Sequence, residues 1–265
     1  MTISFFVEFR VQGFAKQYAK WVNARIHQEA RRLRIRKLKE QRFVSHITLF
    51  GPARTNNFRR VIAEVQRTCR KYTLVPFKIG GFDTIQNPDA NCLYLDVEPS
   101  SQLEQLRYEL AQNLLKSERT IFDTCQSYDH SPKCKFHSSI GKYYPRDNYK
   151  FKKLLDFAET KCTLDIFKKH KASIVSKFFN IIKRYFFRME EDNYQNIRLY
   201  LLRVTILGRG RRILFEYDLV LKKILSRSEA LSRYWYRKSI ERLKELLNPL
   251  PPKPKKPFRT RFGSF

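Results

Sequence analysis

The stretch RFVSHITLFGP, from Arg42 to Pro52, places a histidine inside a short apolar run and follows it two residues later with a threonine. A second run, KFHSSIGK from Lys135 to Lys142, repeats this arrangement with His137 and Ser139. Alternate side chains of a strand share one face, so each run predicts a strand that presents an imidazole beside a hydroxyl. The two runs are either one site assembled from two parts of the chain or two ordinary core strands.

The elements around the two histidines occur twice in the same order, namely strand, helix, histidine strand and capped helix. Eleven residues separate His46 from Asn57, a predicted helix cap, and eleven separate His137 from Asn148, the equivalent cap. Two similar halves usually pack about a pseudo-twofold axis, which brings equivalent strands together. We therefore predict an α+β fold that is bilobal and duplicated, with antiparallel sheets lining a central cleft and helices outside.

The remaining segments extend this two-lobed domain, which we expect to span residues 1–225. Two long strands, NIRLYLLRVTIL and RRILFEYDLVL, predict a hairpin that turns at Gly208 to Gly210 and enlarges a sheet. An insert at about 162–195 has apolar residues at helical spacing and a basic opposite face. One basic helix is predicted at 226–248, followed by an arm at 249–265 whose proline, lysine and arginine content predicts disorder.

The charge of the chain is its most unusual global property. Lys and Arg number 54 against 25 Asp and Glu, which gives a net charge of +29. The natural partner of such a field is a polyanion, and nucleic acid is the first choice, with an anionic membrane surface or simple solvation as alternatives. An amphipathic insert lying on a membrane also stays open, although its aromatic residues better fit the flank of a sheet.

The location that we expect is cytoplasmic. The first residues lack a basic leader, so neither a signal nor a transit peptide is expected. No run reaches the roughly 18 apolar residues that a membrane span requires. Five cysteines without a C-x-x-C motif fit a reducing compartment.

One cluster of metal-ligand residue types requires a test. Cys125, His130, Cys134 and His137 fall within thirteen residues, but their spacing differs from that of the common zinc modules. We therefore expect no metal and no cofactor.

Two imidazoles and two hydroxyls suit chemistry at phosphorus. Because imidazole titrates near neutrality, one histidine can accept a proton while the other donates one. The hydroxyls of Thr48 and Ser139 can donate to non-bridging phosphate oxygens, where charge grows in the transition state. A single histidine on an apolar strand is more often a core residue. The matching strands, hydroxyls and spacings of His46 and His137 favour a site.

The duplicated motifs HIT and HSS resemble those of the 2H phosphoesterase superfamily, and SHITLFGP is similar to the first motif of its LigT-like branch. The resemblance covers Ile3 to about Lys161 and the hairpin from Asn196 to Leu221, but neither the insert nor the region after Ser226. It implies a bilobal fold and metal-independent opening of RNA 2′,3′-cyclic phosphates to 2′-phosphates. In some members it also implies reversible 2′-5′ joining of RNA ends.

By this resemblance His46 and His137 would be the acid and the base, in an order that stays open, and Thr48 and Ser139 would hold the phosphate. The second motif departs slightly from the family pattern, in which a leucine often follows the hydroxyl residue. Here Ser139 is followed by Ile140 and Gly141.

Residues that flank the two motifs are candidates for RNA contacts. We expect phosphate contacts or base stacking from five of them, with a solvated strand end as the alternative for each: Arg42, Lys135, Lys142, Tyr143 and Tyr144.

Two functions remain open. The first is an RNA-end phosphoesterase whose partner is RNA with cyclic-phosphate or 5′-hydroxyl ends, and the second is an RNA-binding module of a ribonucleoprotein assembly with little or no catalysis. The intact set of two histidines and two hydroxyls favours the enzyme. The oligomeric state stays open.

Overall fold

The computed structural model describes residues 2–38, 45–86, 89–116, 121–122, 131, 134–144, 147–170 and 199–248. Predictions for Arg42, Cys125, His130, most of the insert and the arm at 249–265 lie outside these residues. The elements occur in the order β1 (Ile3–Arg10), α1 (Gly13–Arg32), β2 (His46–Thr55), α2 (Phe58–Arg70), β3 (Pro76–Gln86), β4 (Asn91–Pro99), α3 (Ser101–Leu115), β5 (Ile121–Phe122), β6 (His137–Tyr143), α4 (Asn148–Lys161), α5 (164–170), β7 (Leu199–Tyr200), β8 (Arg203–Gly208), β9 (Ile213–Asp218), β10 (Lys223–Leu225), α6 (Arg227–Leu231) and α7 (Arg233–Leu247).

The strands form two antiparallel sheets. The first has the order β10-β9-β8-β1-β2-β5, and the second has the order β6-β4-β3-β7. The predicted hairpin is present as β8 and β9, and β8 extends the first sheet beside β1. The α+β class and the pair of antiparallel sheets are therefore confirmed.

Each sheet buries one face against helices, because its strands alternate apolar and polar residues. The first sheet packs against α2 and α3, with Phe5, Ile47 and Leu49 in that core. The second sheet packs against α1 and α4, with Leu93, Leu95 and Ile140 in its core. The helix that precedes each histidine strand thus packs mainly on the sheet of the other half.

One of the two predicted helix caps differs from the structure. Asn57 caps α2, and its side chain accepts a hydrogen bond from the backbone of Arg60, as expected. In the second half, however, the cap is Asp147, whose carboxylate accepts from the backbone N–H of Lys150, and Asn148 is already helical. The spacings in the two halves therefore differ by one residue.

The basic C-terminal helix is two helices instead of one. Ser232 has an extended backbone with ψ of 132°, and its side chain accepts from the backbone N–H of Tyr234, so it ends α6 and caps α7. Among the described residues, no helix is both long and apolar enough to cross a membrane.

The two C-terminal helices pack on the polar face of the first sheet, away from its core. Arg203 on β8 is 1% exposed, pairs with Glu216 at 3.2 Å and Asp218 at 3.0 Å, and donates to Ser239 of α7 at 3.1 Å. It also donates to the carbonyl of Ala230 in α6. A buried and fully paired arginine of this kind makes the two helices part of the sheet's packing.

Candidate active site

The two histidine strands lie against each other although they belong to different sheets. Ser45, directly before His46, and Ser138, directly after His137, are both buried, and their hydroxyl oxygens are 2.9 Å apart. This hydrogen bond joins β2 to β6 at the position of the two motifs. The two strands are thus joined by serines that lie inside the quoted motifs but were assigned no role from the sequence.

His137 is half-buried and held by two neighbours. Its Nδ1 is 3.2 Å from the carbonyl oxygen of Lys135, and its ring centre is 4.9 Å from that of Tyr94. Because a carbonyl can only accept, this bond requires the proton on Nδ1 and leaves the lone pair of the neutral ring on Nε2. Burial lowers the pKa of His137, and the charge of His46 lowers it further, while the Lys135 carbonyl opposes the shift.

His46 faces a buried carboxylate. It stands opposite Arg10 in the β1–β2 ladder, and Glu8 stands opposite Thr48. Residues paired across an antiparallel ladder share a face, so these four side chains are on one face of the sheet. The Oε1 of Glu8 is 3.6 Å from Nε2 of His46, and Glu8 is 4% exposed. Glu8 therefore gives His46 a counter-ion when the ring carries a proton.

The motif pattern did not single out Glu8 as a site residue. A sequence signal existed, since Glu8 is the single acid inside the apolar strand ISFFVEFRV. A buried carboxylate is costly without a partner, so an acid at such a position indicates a function or an ion pair.

The two hydroxyl residues share the faces of the histidines. Thr48 follows His46 by two positions. The neighbours of Thr48, Ile47 and Leu49, point to the other face and lie in the core. Ser139 stands opposite Tyr94, and its hydroxyl is 3.7 Å from Sγ of Cys92. Each half therefore presents one imidazole and one hydroxyl on the same side of a strand.

A β-bulge changes the face of the residues after Ser139. The β4–β6 register shifts between Leu93 and Tyr94, so Gly141 pairs with Leu93 and Lys142 with Cys92. Lys142 is exposed and, by this register, lies on the same face as His137. Without the bulge, the alternation of a strand would have placed it on the opposite face.

The same bulge overturns the role predicted for Tyr143. This side chain is fully buried on the helical side of the sheet, and its hydroxyl is 3.0 Å from Nδ1 of His27 in α1. A ring in that position belongs to the core and has no face open to a base. Tyr143 is therefore not an RNA-stacking residue.

The other two flanking candidates already have protein partners. Lys135 pairs with Asp83, and this pairing lowers the pKa of Asp83 to about 2. The hydroxyl of Tyr94 also donates to Asp83 at 2.8 Å. The guanidinium of Arg36 lies over the ring of Tyr144, 4.9 Å from its centre. Any RNA contact by Lys135 or Tyr144 has to form beside these interactions.

The metal-ligand cluster can be placed only in part, because Cys125 and His130 lie outside the described residues. Within the residues that the structure describes, no three His, Cys, Asp or Glu side chains group as a metal site.

Comparisons with known proteins gave one family match and similar solved structures. A family model described as the 2′-5′ RNA ligase superfamily matches residues 20–165. The structure of Kluyveromyces marxianus Usb1 with uridine monophosphate is similar, with 11% identity and a TM-score of 0.42, over 80% of this chain and 95% of that one. The structure of Kluyveromyces marxianus Usb1 gives 11% identity and a TM-score of 0.41, over 80% and 96% of the two chains.

A search of curated protein sequences found no match. The family match covers more than half of the chain and includes both histidine motifs. The chain therefore belongs to the 2′-5′ RNA ligase superfamily.

Proposed function

We propose that this protein is an RNA-end phosphoesterase that opens 2′,3′-cyclic phosphates to 2′-phosphates, with His46 and His137 as its acid and base. The observation that carries this proposal is the juxtaposition of β2 and β6 through Ser45 and Ser138. It sets two histidines close enough for the charge of one to influence the other. Membership of the family supports phosphoester chemistry, and the high positive charge supports an RNA substrate.

In this proposal His137 is the base. Its lowered pKa keeps the ring neutral near pH 7, and the Lys135 carbonyl holds the proton on Nδ1, so Nε2 is available to accept a proton. That proton comes from the water whose oxygen attacks phosphorus. Water oxygen forms the new bond to phosphorus as the bond from phosphorus to the 3′ oxygen breaks.

His46 is then the acid. Its imidazolium has Glu8 as counter-ion, and it donates a proton to the departing 3′ oxygen. Thr48 and Ser139 donate to the non-bridging oxygens, which carry the charge of the transition state. The product is a 2′-phosphate beside a free 3′-hydroxyl. If a 5′-hydroxyl of RNA takes the place of water, the same steps give a 2′-5′ linkage.

The test uses a short RNA that ends in a 2′,3′-cyclic phosphate, incubated with the protein and EDTA, with the product identified by ³¹P NMR. A 2′-phosphate is expected, and His46→Ala and His137→Ala should each lower kcat by at least about a hundredfold. A second RNA with a 5′-hydroxyl tests for joining. If the wild type binds the RNA and leaves it unchanged, the proposal is wrong. If the two variants turn it over at the wild-type rate, the site is wrong.

A second candidate is an RNA-binding module with little or no catalysis, which the net charge of +29 favours. Tight, salt-sensitive binding without any product in the same assay would support it. Each half contains a histidine and a hydroxyl residue on one strand face. This arrangement favours catalysis, because RNA binding alone does not require it.

A further inference from the structure

A basic cavity of about 220 Å³ lies between the start of α1 and the turn that joins α6 to α7. It is an order of magnitude larger than the roughly 15 Å³ that one water needs. Four cationic side chains from three different regions of the chain line it: Arg10, Lys16, Arg203 and Arg233. The lining residues include no Asp or Glu.

The cavity carries excess positive charge. Arg10 and Arg203 are balanced by Glu216 and Asp218, which bind them from outside the cavity lining. Lys16 and Arg233 have no ion-pair partner within the described part of the chain. Two cations are therefore left to face the cavity, and this arrangement fits an anion.

Three further features agree with this charge balance. Lys16 is an exposed residue, and partial loss of its hydration lowers its pKa, which the nearby charges of Lys20 and Arg10 lower further. The Nε of Arg10 is buried and lacks a hydrogen-bond partner in the described structure. The cavity also adjoins the positive end of the α1 dipole, where the side chain of Gln12 forms no cap and the first turn has no acid.

The position of the cavity connects it to the candidate active site. Arg10 lines the cavity and stands directly opposite His46 in the β1–β2 ladder, on the same face of the sheet. An RNA that ends in a cyclic phosphate continues only on its 5′ side. The phosphate nearest the reacting one is therefore the diester that joins the terminal nucleotide to its 5′ neighbour.

We propose that this cavity binds that 5′-side phosphodiester, so that the protein prefers oligonucleotides to a single nucleoside 2′,3′-cyclic phosphate. This inference rests on the proposed function. Lys16 and Arg233 contact the phosphate, while Arg10 and Arg203, fixed by their carboxylate partners, line the base of the cavity.

The kinetic test compares two dinucleotides that both end in a 2′,3′-cyclic phosphate, one with a normal diester and one with a neutral methylphosphonate linkage. We expect kcat/KM of the wild type to be about tenfold higher for the diester. The double variant Lys16→Gln/Arg233→Gln should bring the ratio close to one. The control, Arg237→Gln, removes a charge from an exposed position of α7 that does not line the cavity, and it should keep the wild-type ratio. A wild-type ratio near one overturns the assignment to an RNA phosphate.

A binding measurement separates this inference from the proposed function. Calorimetry with inorganic phosphate, performed on His137→Ala, should show a site that Lys16→Gln/Arg233→Gln in the same background weakens about tenfold. Equal phosphate binding by both proteins overturns the cavity as an anion site. Absence of turnover by the wild type would overturn the proposed function, and the calorimetry would still decide whether the cavity binds phosphate.

Discussion

The environment of His137 determines how the proposed reaction should depend on pH. Its pKa is lowered from 6.5, so the neutral form that can accept a proton persists to lower pH than in a free histidine. If His137 is the base, the acidic limb of the kcat/KM profile has its midpoint below pH 6.5. A pH profile on the cyclic-phosphate RNA measures it, and a midpoint above 6.5 would contradict the assignment.

Glu8 is expected to act through His46 as a positioning residue. Glu8→Gln keeps the shape of the side chain but removes the counter-ion of a protonated His46, so kcat should fall by about tenfold to a hundredfold. Steady-state kinetics on the cyclic-phosphate RNA measure this loss, and an unchanged kcat would contradict the role of Glu8. Glu98→Gln, at an exposed position of β4, is the matched control and should leave kcat unchanged.

At single residues, the sequence predicted the motif positions but not the face of every neighbour. Strand alternation was sufficient for Thr48 and Ser139. It failed for Tyr143, because the bulge beside Gly141 shifts the register by one residue. A glycine inside a strand is a signal for a bulge, and here a Cβ at Gly141 would lie 2.8 Å from the hydroxyl of Tyr143. The bulge also leaves Ile140 out of the ladder pairing, and its carbonyl accepts a hydrogen bond from Asn23 of α1 at 2.5 Å.

Among the elements, α7 was predicted from its pattern but its partner was not. An amphipathic pattern shows which face of a helix is buried, and it does not show which surface covers that face. The decisive residues are polar: Arg203, Asp218 and Ser239 form a buried network between β8, β9 and α7. Removing Arg203 would leave Asp218 buried without its cation and Glu216 with Arg10 alone, at a cost of several kcal/mol.

The contact between α1 and α7 can be tested through Gly13. Its φ is +60°, and a Cβ added there would lie 2.6 Å from the hydroxyl of Tyr236 in α7. Gly13→Ala should therefore lower the free energy of unfolding by about 1 to 3 kcal/mol, through backbone strain at this positive φ and displacement of the Tyr236 side chain. Urea denaturation measures the change. Gly81→Ala is the control, because a Cβ at Gly81 meets nothing within 4 Å, and an equal loss in both variants would contradict this explanation.

For the whole molecule, the duplication in the sequence was enough to predict two antiparallel sheets with the histidine strands adjacent. It did not predict that α1 and α4 pack on one sheet while α2 and α3 pack on the other. Pseudo-symmetry relates the two halves but leaves open which helix covers which sheet. The two C-terminal helices lie outside the duplicated pattern, so no repeat could indicate the face they occupy.

The net charge of +29 should make RNA binding strongly dependent on salt, whichever function is correct. Each single-strand phosphate that the protein neutralises adds about −0.7 to the slope of log K against log salt, so about four contacts lower the affinity roughly fiftyfold between 50 and 200 mM salt. Fluorescence anisotropy with a labelled RNA measures this slope. A methylphosphonate RNA of the same sequence should give a slope near zero. For the normal RNA, kcat at saturation should change little with salt, because the proposed proton transfers by the two histidines would occur after the RNA is bound. If the affinity for the normal RNA does not change with salt concentration, the excess positive charge does not contribute to RNA binding.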